Sequence, residues 1–115
     1  MVNTDQQHDV EVLNFRVIKR SGEVVSFDKL KIINAIKSAF ISVEGEGAAN
    51  SDRVDISANQ VANGVIERFI GRRDIGSAIH IEDIQDKVEL VLLQKNFHEV
   101  ALSYIKYRHQ RNENR

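Results

Sequence analysis

The spacing of the apolar residues changes at Asp28, and this change constrains the fold more than any other feature. From residue 13 to residue 19, apolar side chains lie at every second position, the pattern of a strand with one face on a core. Ser21-Gly22 predicts a turn, so residues 24–27 are expected to return as the hairpin partner. After Asp28 the apolar residues recur at spacings of one, three and four through Val43, which predicts an amphipathic helix with Asp28 as its N-cap.

Three further helices are expected in the rest of the chain. Ser57 and Gln60 have the spacing of a capping box, which predicts the start of the second helix, and Gly71 predicts its end. Residues 78–80 are a candidate third strand before the third helix, and Asn96 is expected to separate the third helix from the fourth. The predicted fold class is therefore α+β and mainly α, a four-helix bundle capped by a small β-hairpin or three-stranded sheet.

Glycine and small residues predict loops between these elements. Residues 45–51 and 72–77 have this composition, and the first of these loops does not resemble a phosphate cradle because Glu44 and Glu46 flank its glycines.

The predicted domain spans residues 13–111. Residues 1–12 are polar and predict a flexible tail, and residues 112–115 predict a tail or a linker to a following domain.

The composition excludes several classes of protein. The chain has no cysteine, which removes disulfides, thiol nucleophiles and cysteine-ligated zinc. Its 16 basic and 17 acidic residues give a formal net charge of -1, so no global positive field attracts nucleic acid. The apolar runs are far too short to span a membrane, and the polar first 11 residues do not resemble a signal peptide. We therefore expect a cytoplasmic domain without a membrane partner.

Catalytic and metal-binding patterns were not found in the sequence. The histidines do not form a metal-binding motif, and His80 precedes a predicted helix, where capping or packing is expected. Glu82, Asp83 and Asp86 could bind a metal, but carboxylates in the first turns of a helix more often cap it or face solvent. We predict no catalytic residue and no metal site.

Two cationic clusters are candidates for binding an anion. Lys19, Arg20, Lys29 and Lys31 gather near the start of the first predicted helix, where unpaired N–H groups and the helix dipole favour a multiply charged anion such as a triphosphate. Tyr107 lies beside Arg108 and one turn before Arg111, so its ring could stack on a base while the guanidinium groups contact phosphates. The alternatives are a solvated hairpin and cations that complement a helix C-terminus.

Three segments together resemble the ATP-cone, the nucleotide-sensing regulatory domain of ribonucleotide reductases. Residues 17–32 resemble the opening signature of that domain. Residues 81–89 and 100–108 resemble its third and fourth helices. The likeness covers about residues 13–111 and is greatest to the N-terminal cone of the class I large (catalytic) subunit. The resemblance implies the same fold, a bundle of four helices under a small sheet.

The resemblance also implies a set of residues around the nucleotide. Lys19, Arg20, Lys31 and Arg111 are expected to neutralise the triphosphate, and Asp28 to accept hydrogen bonds from the base or sugar. The apolar and stacking surface is expected from Val17, Ile32 and Tyr107. Some cones place a histidine in the second helix near the ribose and phosphates, whereas this chain has Gln60, Val61 and Ala62 there.

The implied function is allosteric control of a ribonucleoside-diphosphate reductase, with ATP activating and dATP inhibiting. The expected ligand is ATP or dATP together with Mg²⁺, and the expected partners are other reductase subunits that contact the helical faces. Two alternatives remain open: a helical protein-interaction module that binds no nucleotide, and a small nucleic-acid-binding domain that uses the same cations. In each case the domain itself is expected to perform no chemistry.

Overall fold

Residues 15–70 and 78–113 are described by the structure, a computed structural model, and they form three strands, one 3₁₀-helix and four α-helices. In chain order these are β1 (Arg16–Ile18), β2 (Val24–Ser26), α1 (Lys29–Glu44), the 3₁₀-helix (Glu46–Asn50), α2 (Asp52–Ile70), β3 (Ala78–His80), α3 (Ile81–Gln94) and α4 (His98–Glu113). The predicted tail at 1–12, Leu13, the predicted helix stop and loop at 71–77, and positions 114–115 lie outside the described residues. The predicted fold class is confirmed.

The predicted hairpin forms two strands of a three-stranded sheet, with β1 in the centre. Strand β1 pairs antiparallel with β2 and parallel with β3, so the candidate third strand is confirmed. Phe15 and Val17 are buried while Arg16 is exposed, as the alternating pattern predicts. Gly22 has a φ of 94°, a backbone conformation that costs glycine little, and it closes the turn by donating its N–H to the Lys19 carbonyl at 2.8 Å.

Helix α1 begins where the apolar spacing changes. Asp28 is its N-cap, and the Oδ1 atom of Asp28 accepts a hydrogen bond from the Leu30 N–H at 3.0 Å. The buried face of α1 contains Ile33, Ile36, Ala39 and Phe40. Val43 was expected on the same face, but it is exposed because it lies in the last turn before Glu44. The predicted helix is thus confirmed, with an apolar face one turn shorter.

The start of α2 was predicted wrongly. The segment expected to be a loop contains the 3₁₀-helix, and α2 begins at Asp52 instead of near Ser57. Ser51 supplies the cap, since its Oγ accepts a hydrogen bond from the Val54 N–H at 3.3 Å. Ser57 is buried within the helix. The apolar stripe already includes Val54 and Ala58, and burying these residues favours a helix that begins one turn earlier than the capping-box pattern indicates.

Helices α3 and α4 follow the prediction closely. His80 caps α3, because its Nδ1 accepts a hydrogen bond from the Glu82 N–H at 3.3 Å. Asn96 separates α3 from α4 with a left-handed φ of 68°, a conformation that asparagine tolerates better than most residues. The predicted buried faces are confirmed, and they contribute Ile84, Val88, Val91, Leu92, Val100, Ala101 and Tyr104 to the core.

The four helices enclose one apolar core. Its largest fully buried side chains are Phe40, Ile36, Ile66, Leu92, Val54, Val61, Val65 and Val88. Phe40, late in α1, meets Phe97 at the start of α4 with ring centroids 5.1 Å apart, so α1 and α4 run antiparallel. Among the described residues, no helix has the length and hydrophobicity needed to span a membrane.

Candidate functional site

One end of the bundle, the sheet end, carries most of the predicted site. We define it as the sheet, the first turns of α1 and α3, and the last turns of α4. Strand β2 leads directly into α1, and β3 leads directly into α3, so both helix N-termini lie next to the sheet. The last turns of α4 lie at this end as well, because α4 is antiparallel to α1.

Arg20, in the hairpin turn, is directed toward α3. Its Nη2 donates a hydrogen bond to Gln85 Oε1 at 2.7 Å, and its Nε lies 3.6 Å from Glu82 Oε2. The side chain is 15% exposed. A residue predicted to face a ligand is therefore largely covered by protein, and it connects the hairpin to the second turn of α3.

Arg108 is surrounded by carboxylates of α3. Its Nη1 lies 2.6 Å from Glu89 Oε2, its Nη2 lies 2.9 Å from Asp86 Oδ1, and Nη2 also donates to the Glu82 carbonyl at 3.2 Å. Burial lowers the pKa of Arg108, but the hydrogen bonds to Glu89 and Asp86 outweigh burial and raise it overall. Arg108 therefore holds α4 against α3 and is not a free cation for phosphate.

Tyr104 lies between the core and these charges. Burial raises the pKa of its hydroxyl above the ordinary value, and the positive charge of Arg108 partly opposes that rise. The charges of Glu89 and Arg20 also act on Tyr104, which places both arginines and the carboxylates of α3 in one electrostatic neighbourhood. The hydroxyl therefore stays protonated at neutral pH.

The predicted residues at the start of α1 face solvent. Lys31 and Asp28 are exposed, and the Asp28 carboxylate already caps the helix. Lys19 is exposed as well and lies 3.6 Å from Glu23 in an ion pair within the hairpin. Such exposed pairs are weak, so a polyanion could displace Glu23 at small cost.

The three apolar residues of the predicted site differ in exposure. Val17 is buried in the core and Ile32 is half-buried against it, whereas the Tyr107 side chain is 41% exposed. Tyr107 lines a groove of about 280 Å³ between α1 and α4, together with Lys106 of α4 and small side chains of α1. The lining residues of this groove do not include the predicted residues of the hairpin or of the first turn of α1.

The prediction also concerned Arg111 on the last helix and residues 60–62 on the second helix. The helical backbone of α4 continues through position 111 at the sheet end, and the side chain of Arg111 lies outside the described residues. On the second helix, Gln60 is exposed whereas Val61 and Ala62 are fully buried, so Gln60 presents the polar group at these positions. Within residues 15–70 and 78–113, no three His, Cys, Asp or Glu side chains are grouped to hold a metal ion.

A family model matches nearly all of the described fold. The model is that of the ATP cone domain, and it matches residues 15–113.

The chain belongs to the ATP cone domain family.

Family membership makes this ATP cone an allosteric nucleotide-binding regulatory domain. It is 31% identical over 110 residues to the ribonucleoside-diphosphate reductase subunit alpha of Chlamydia pneumoniae, covering 93% of this chain and 10% of that protein. It is 37% identical over 98 residues to the anaerobic ribonucleoside-triphosphate reductase of Haemophilus influenzae, covering 85% and 13%. It is 40% identical over 100 residues to the vitamin B12-dependent ribonucleoside-diphosphate reductase of Thermoplasma acidophilum, covering 83% and 12%.

The ATP cone therefore spans about a tenth of the length of the curated relatives it matches. Sequence reasoning missed the α3 side chains that pair with Arg20 and Arg108. Gln85, Asp86 and Glu89 lie in the first turns of α3, and their roles depend on contacts with residues 19 or more positions away. Their helical spacing placed them on α3 but gave no signal of these partners.

Proposed function

We propose that this ATP cone is the allosteric module of a ribonucleotide reductase, in which ATP keeps the enzyme active and dATP inhibits it. The observation that carries the proposal is the family match over residues 15–113, and the names of the relatives, all ribonucleotide reductases, support the host. The proposed domain spans residues 13–111, with a flexible tail before it and a tail or a linker after it. Other reductase subunits are the proposed partners of its outer helical faces.

The proposed nucleotide site is the sheet end. A triphosphate carries close to four negative charges and needs several cations, and Lys19, Arg20, Lys31 and Arg111 are the proposed set. The N-terminus of α1 adds a helix dipole that favours negative charge. Mg²⁺ is proposed to enter with the phosphates, because no carboxylate cage for a metal stands among the described residues.

The proposed contacts of the base and sugar come from the remaining predicted residues. Asp28 is proposed to accept hydrogen bonds from the base or sugar, and Ile32 and Tyr107 to supply apolar and stacking surface. Val17 belongs to the same set, and its buried side chain restricts it to shaping the floor of the site. Tyr107 suits stacking because its ring is partly exposed.

Discrimination between the two nucleotides rests on one hydroxyl group. ATP and dATP differ at the 2′ position, and a ligand shifts an equilibrium only by its differential affinity for the two states. A coupling of about 1–3 kcal/mol is sufficient for a useful switch. The proposed response is a change in how the outer helical faces contact another reductase subunit.

Titration calorimetry of this chain with ATP, dATP and a short oligonucleotide tests the proposal. We expect both mononucleotides to bind with Mg²⁺ present. Replacing Lys31 with alanine is expected to weaken both about ten- to a hundredfold, because it removes a charge-assisted contact with phosphate. Lys95→Ala is the matched control, since Lys95 is also exposed but lies in the turn between α3 and α4.

The possible results separate the proposal from its alternatives. Binding of neither mononucleotide at millimolar concentration would contradict nucleotide sensing and favour a protein-interaction module. Tight binding of the oligonucleotide alone would favour a nucleic-acid-binding domain. Equal affinities for the Lys31→Ala and Lys95→Ala proteins would leave nucleotide binding standing but remove Lys31 from the site.

A further inference from the structure

Arg20 has an incomplete set of partners at the sheet end. One hydrogen bond, from Nη2 to the neutral amide oxygen of Gln85, holds the guanidinium at 2.7 Å. The Nε atom is buried and has no hydrogen-bond acceptor among the described residues, since Glu82 Oε2 remains 3.6 Å away. A buried donor without an acceptor is unfavourable. A ligand oxygen that accepts a hydrogen bond from the Arg20 Nε would therefore be stabilising.

Arg108, another arginine of the sheet end, shows the contrast. Both Nη atoms of Arg108 contact carboxylates, those of Glu89 and Asp86, within 2.9 Å. A charge-assisted hydrogen bond is roughly twice as strong as one between neutral groups, so an anionic ligand gains little by competing for Arg108. Gln85 gives Arg20 a neutral acceptor, and the Glu82 carboxylate forms only a long ion pair with it at 3.6 Å, so a phosphate oxygen is a much stronger acceptor for the same guanidinium.

We propose that Gln85 is a positioning residue that holds Arg20 against α3 in the unliganded cone and competes with nucleotide phosphate for it. This proposal rests on the proposed function, because it assigns Arg20 to the phosphates. On binding, phosphate oxygens accept the hydrogen bonds of Arg20, the buried Nε gains an acceptor, and the Gln85 amide is released. Gln85 thereby lowers nucleotide affinity and links occupancy of the site to the contact between the hairpin and α3.

The test replaces Gln85 with methionine, which has a similar length and no amide. Calorimetry at constant ionic strength is expected to show that Gln85→Met binds ATP about three- to tenfold more tightly, because a neutral competing hydrogen bond is removed. Gln94→Met is the matched control. Gln94 also accepts a hydrogen bond from an arginine, Arg68, but it lies at the other end of α3. The Gln94→Met variant is therefore expected to bind ATP as tightly as the unmodified chain.

The same substitution in an Arg20→Ala background separates competition from a general structural effect. Without Arg20, Gln85→Met is expected to leave ATP affinity unchanged. Gln85→Glu, which strengthens the hold on Arg20, is expected to weaken ATP binding about tenfold when Arg20 is present. This loss is expected to shrink in the Arg20→Ala background, whereas simple repulsion between the new carboxylate and the phosphates would persist there.

The results distinguish this proposal from the proposed function. If the unmodified chain binds neither ATP nor dATP, the proposed function fails and this proposal fails with it. If it binds ATP but Gln85→Met binds with equal or lower affinity, only this proposal is overturned. Circular dichroism melts confirm that each variant is folded, and Gln85→Asn, whose amide is too short to reach Arg20, replaces the methionine variant if that one does not fold.

Discussion

The middle of the bundle and its sheet end both contain buried side chains, but different interactions hold these side chains in place. In the middle, Phe40, Ile66 and Leu92 pack without polar partners. At the sheet end, Arg20 and Arg108 are each about 85% covered and are held by polar groups of α3. Apolar packing stabilises the fold whatever ligand is present, whereas a cation held by a neutral acceptor, as Arg20 is by Gln85, has a contact for which an anion can compete. The sheet end therefore contains polar contacts for which a ligand can compete, and the apolar middle of the bundle does not.

The largest expected loss of stability comes from a substitution in the apolar middle of the bundle. Phe40 is fully buried and packs edge-to-face on Phe97. Phe40→Ala removes that contact and leaves a cavity, so we expect the free energy of unfolding to fall by about 3–5 kcal/mol, measured by urea denaturation. Leu102→Ala is the control, because Leu102 is 60% exposed and its loss is expected to cost at most about 0.5 kcal/mol. Similar losses for both variants would contradict the description of the core.

The next effect concerns the sheet end. Arg108→Met keeps an aliphatic side chain but leaves Asp86 and Glu89 without their shared cation, so we expect a loss of about 1–3 kcal/mol in the free energy of unfolding. Arg53→Met is the matched control, since Arg53 forms a more exposed ion pair with Glu44, and its loss is expected to cost less than about 1 kcal/mol. Equal losses in the free energy of unfolding would mean that burial does not make the ion pairs of Arg108 more stabilising than the exposed pair of Arg53.

The pH dependence of stability tests whether Tyr104 is buried between the apolar core and the charges of the sheet end. Burial raises the pKa of Tyr104 above its ordinary value of 10.0, so the folded chain keeps the hydroxyl proton while the unfolded chain begins to lose it above pH 10. The contribution of this group to stability is therefore complete below pH 10. Above that pH it falls by about 1.4 kcal/mol per pH unit.

Unfolding measurements at pH 9 and pH 11 check this expectation against Tyr104→Phe, which has no hydroxyl to ionise. All other groups are the same in both proteins, so the difference between the two pH profiles isolates Tyr104. We expect the unmodified chain to lose more stability than the variant between these pH values. Parallel profiles would show that the Tyr104 hydroxyl reaches solvent.

The smallest effect sharpens the distinction between folding and binding at one residue. Asp28 caps α1 and is also a proposed ligand of the base or sugar. Asp28→Ala is expected to lower the free energy of unfolding by about 1 kcal/mol, while Asp28→Ser keeps a capping oxygen and most of the stability. If the carboxylate also contacts nucleotide, Asp28→Ser will weaken ATP binding in calorimetry. Unchanged affinity would restrict Asp28 to the capping role.

Local patterns predicted most of the elements because local forces decide them. Asp28, His80 and Asn96 were assigned to helix boundaries from residue type and neighbours, and the structure confirms all three. The start of α2 is the exception. Two serines, Ser51 and Ser57, compete as caps, and the local capping signal favours the wrong one. Burial of Val54 in the core resolves the choice, and burial depends on tertiary packing.

The candidate site was predicted less completely, because its charges find partners far away in the sequence. Residue type alone marked Arg20 and Arg108 as cations near phosphate. The structure pairs Arg20 with Gln85, which is 65 positions away, and it pairs Arg108 with two carboxylates of α3. The same charge can bind a ligand or fix two helices together, and no local pattern distinguishes these uses.

By itself, the sequence determined the order of strands and helices, the apolar face of each helix and the family of the domain. These properties follow from residue spacing and backbone preference, which act over a few positions. Only the tertiary structure decided which cations are occupied, since an ion pair forms when folding brings two distant groups within a few ångströms and removes water from them. The sheet end of this ATP cone is defined by that second kind of information.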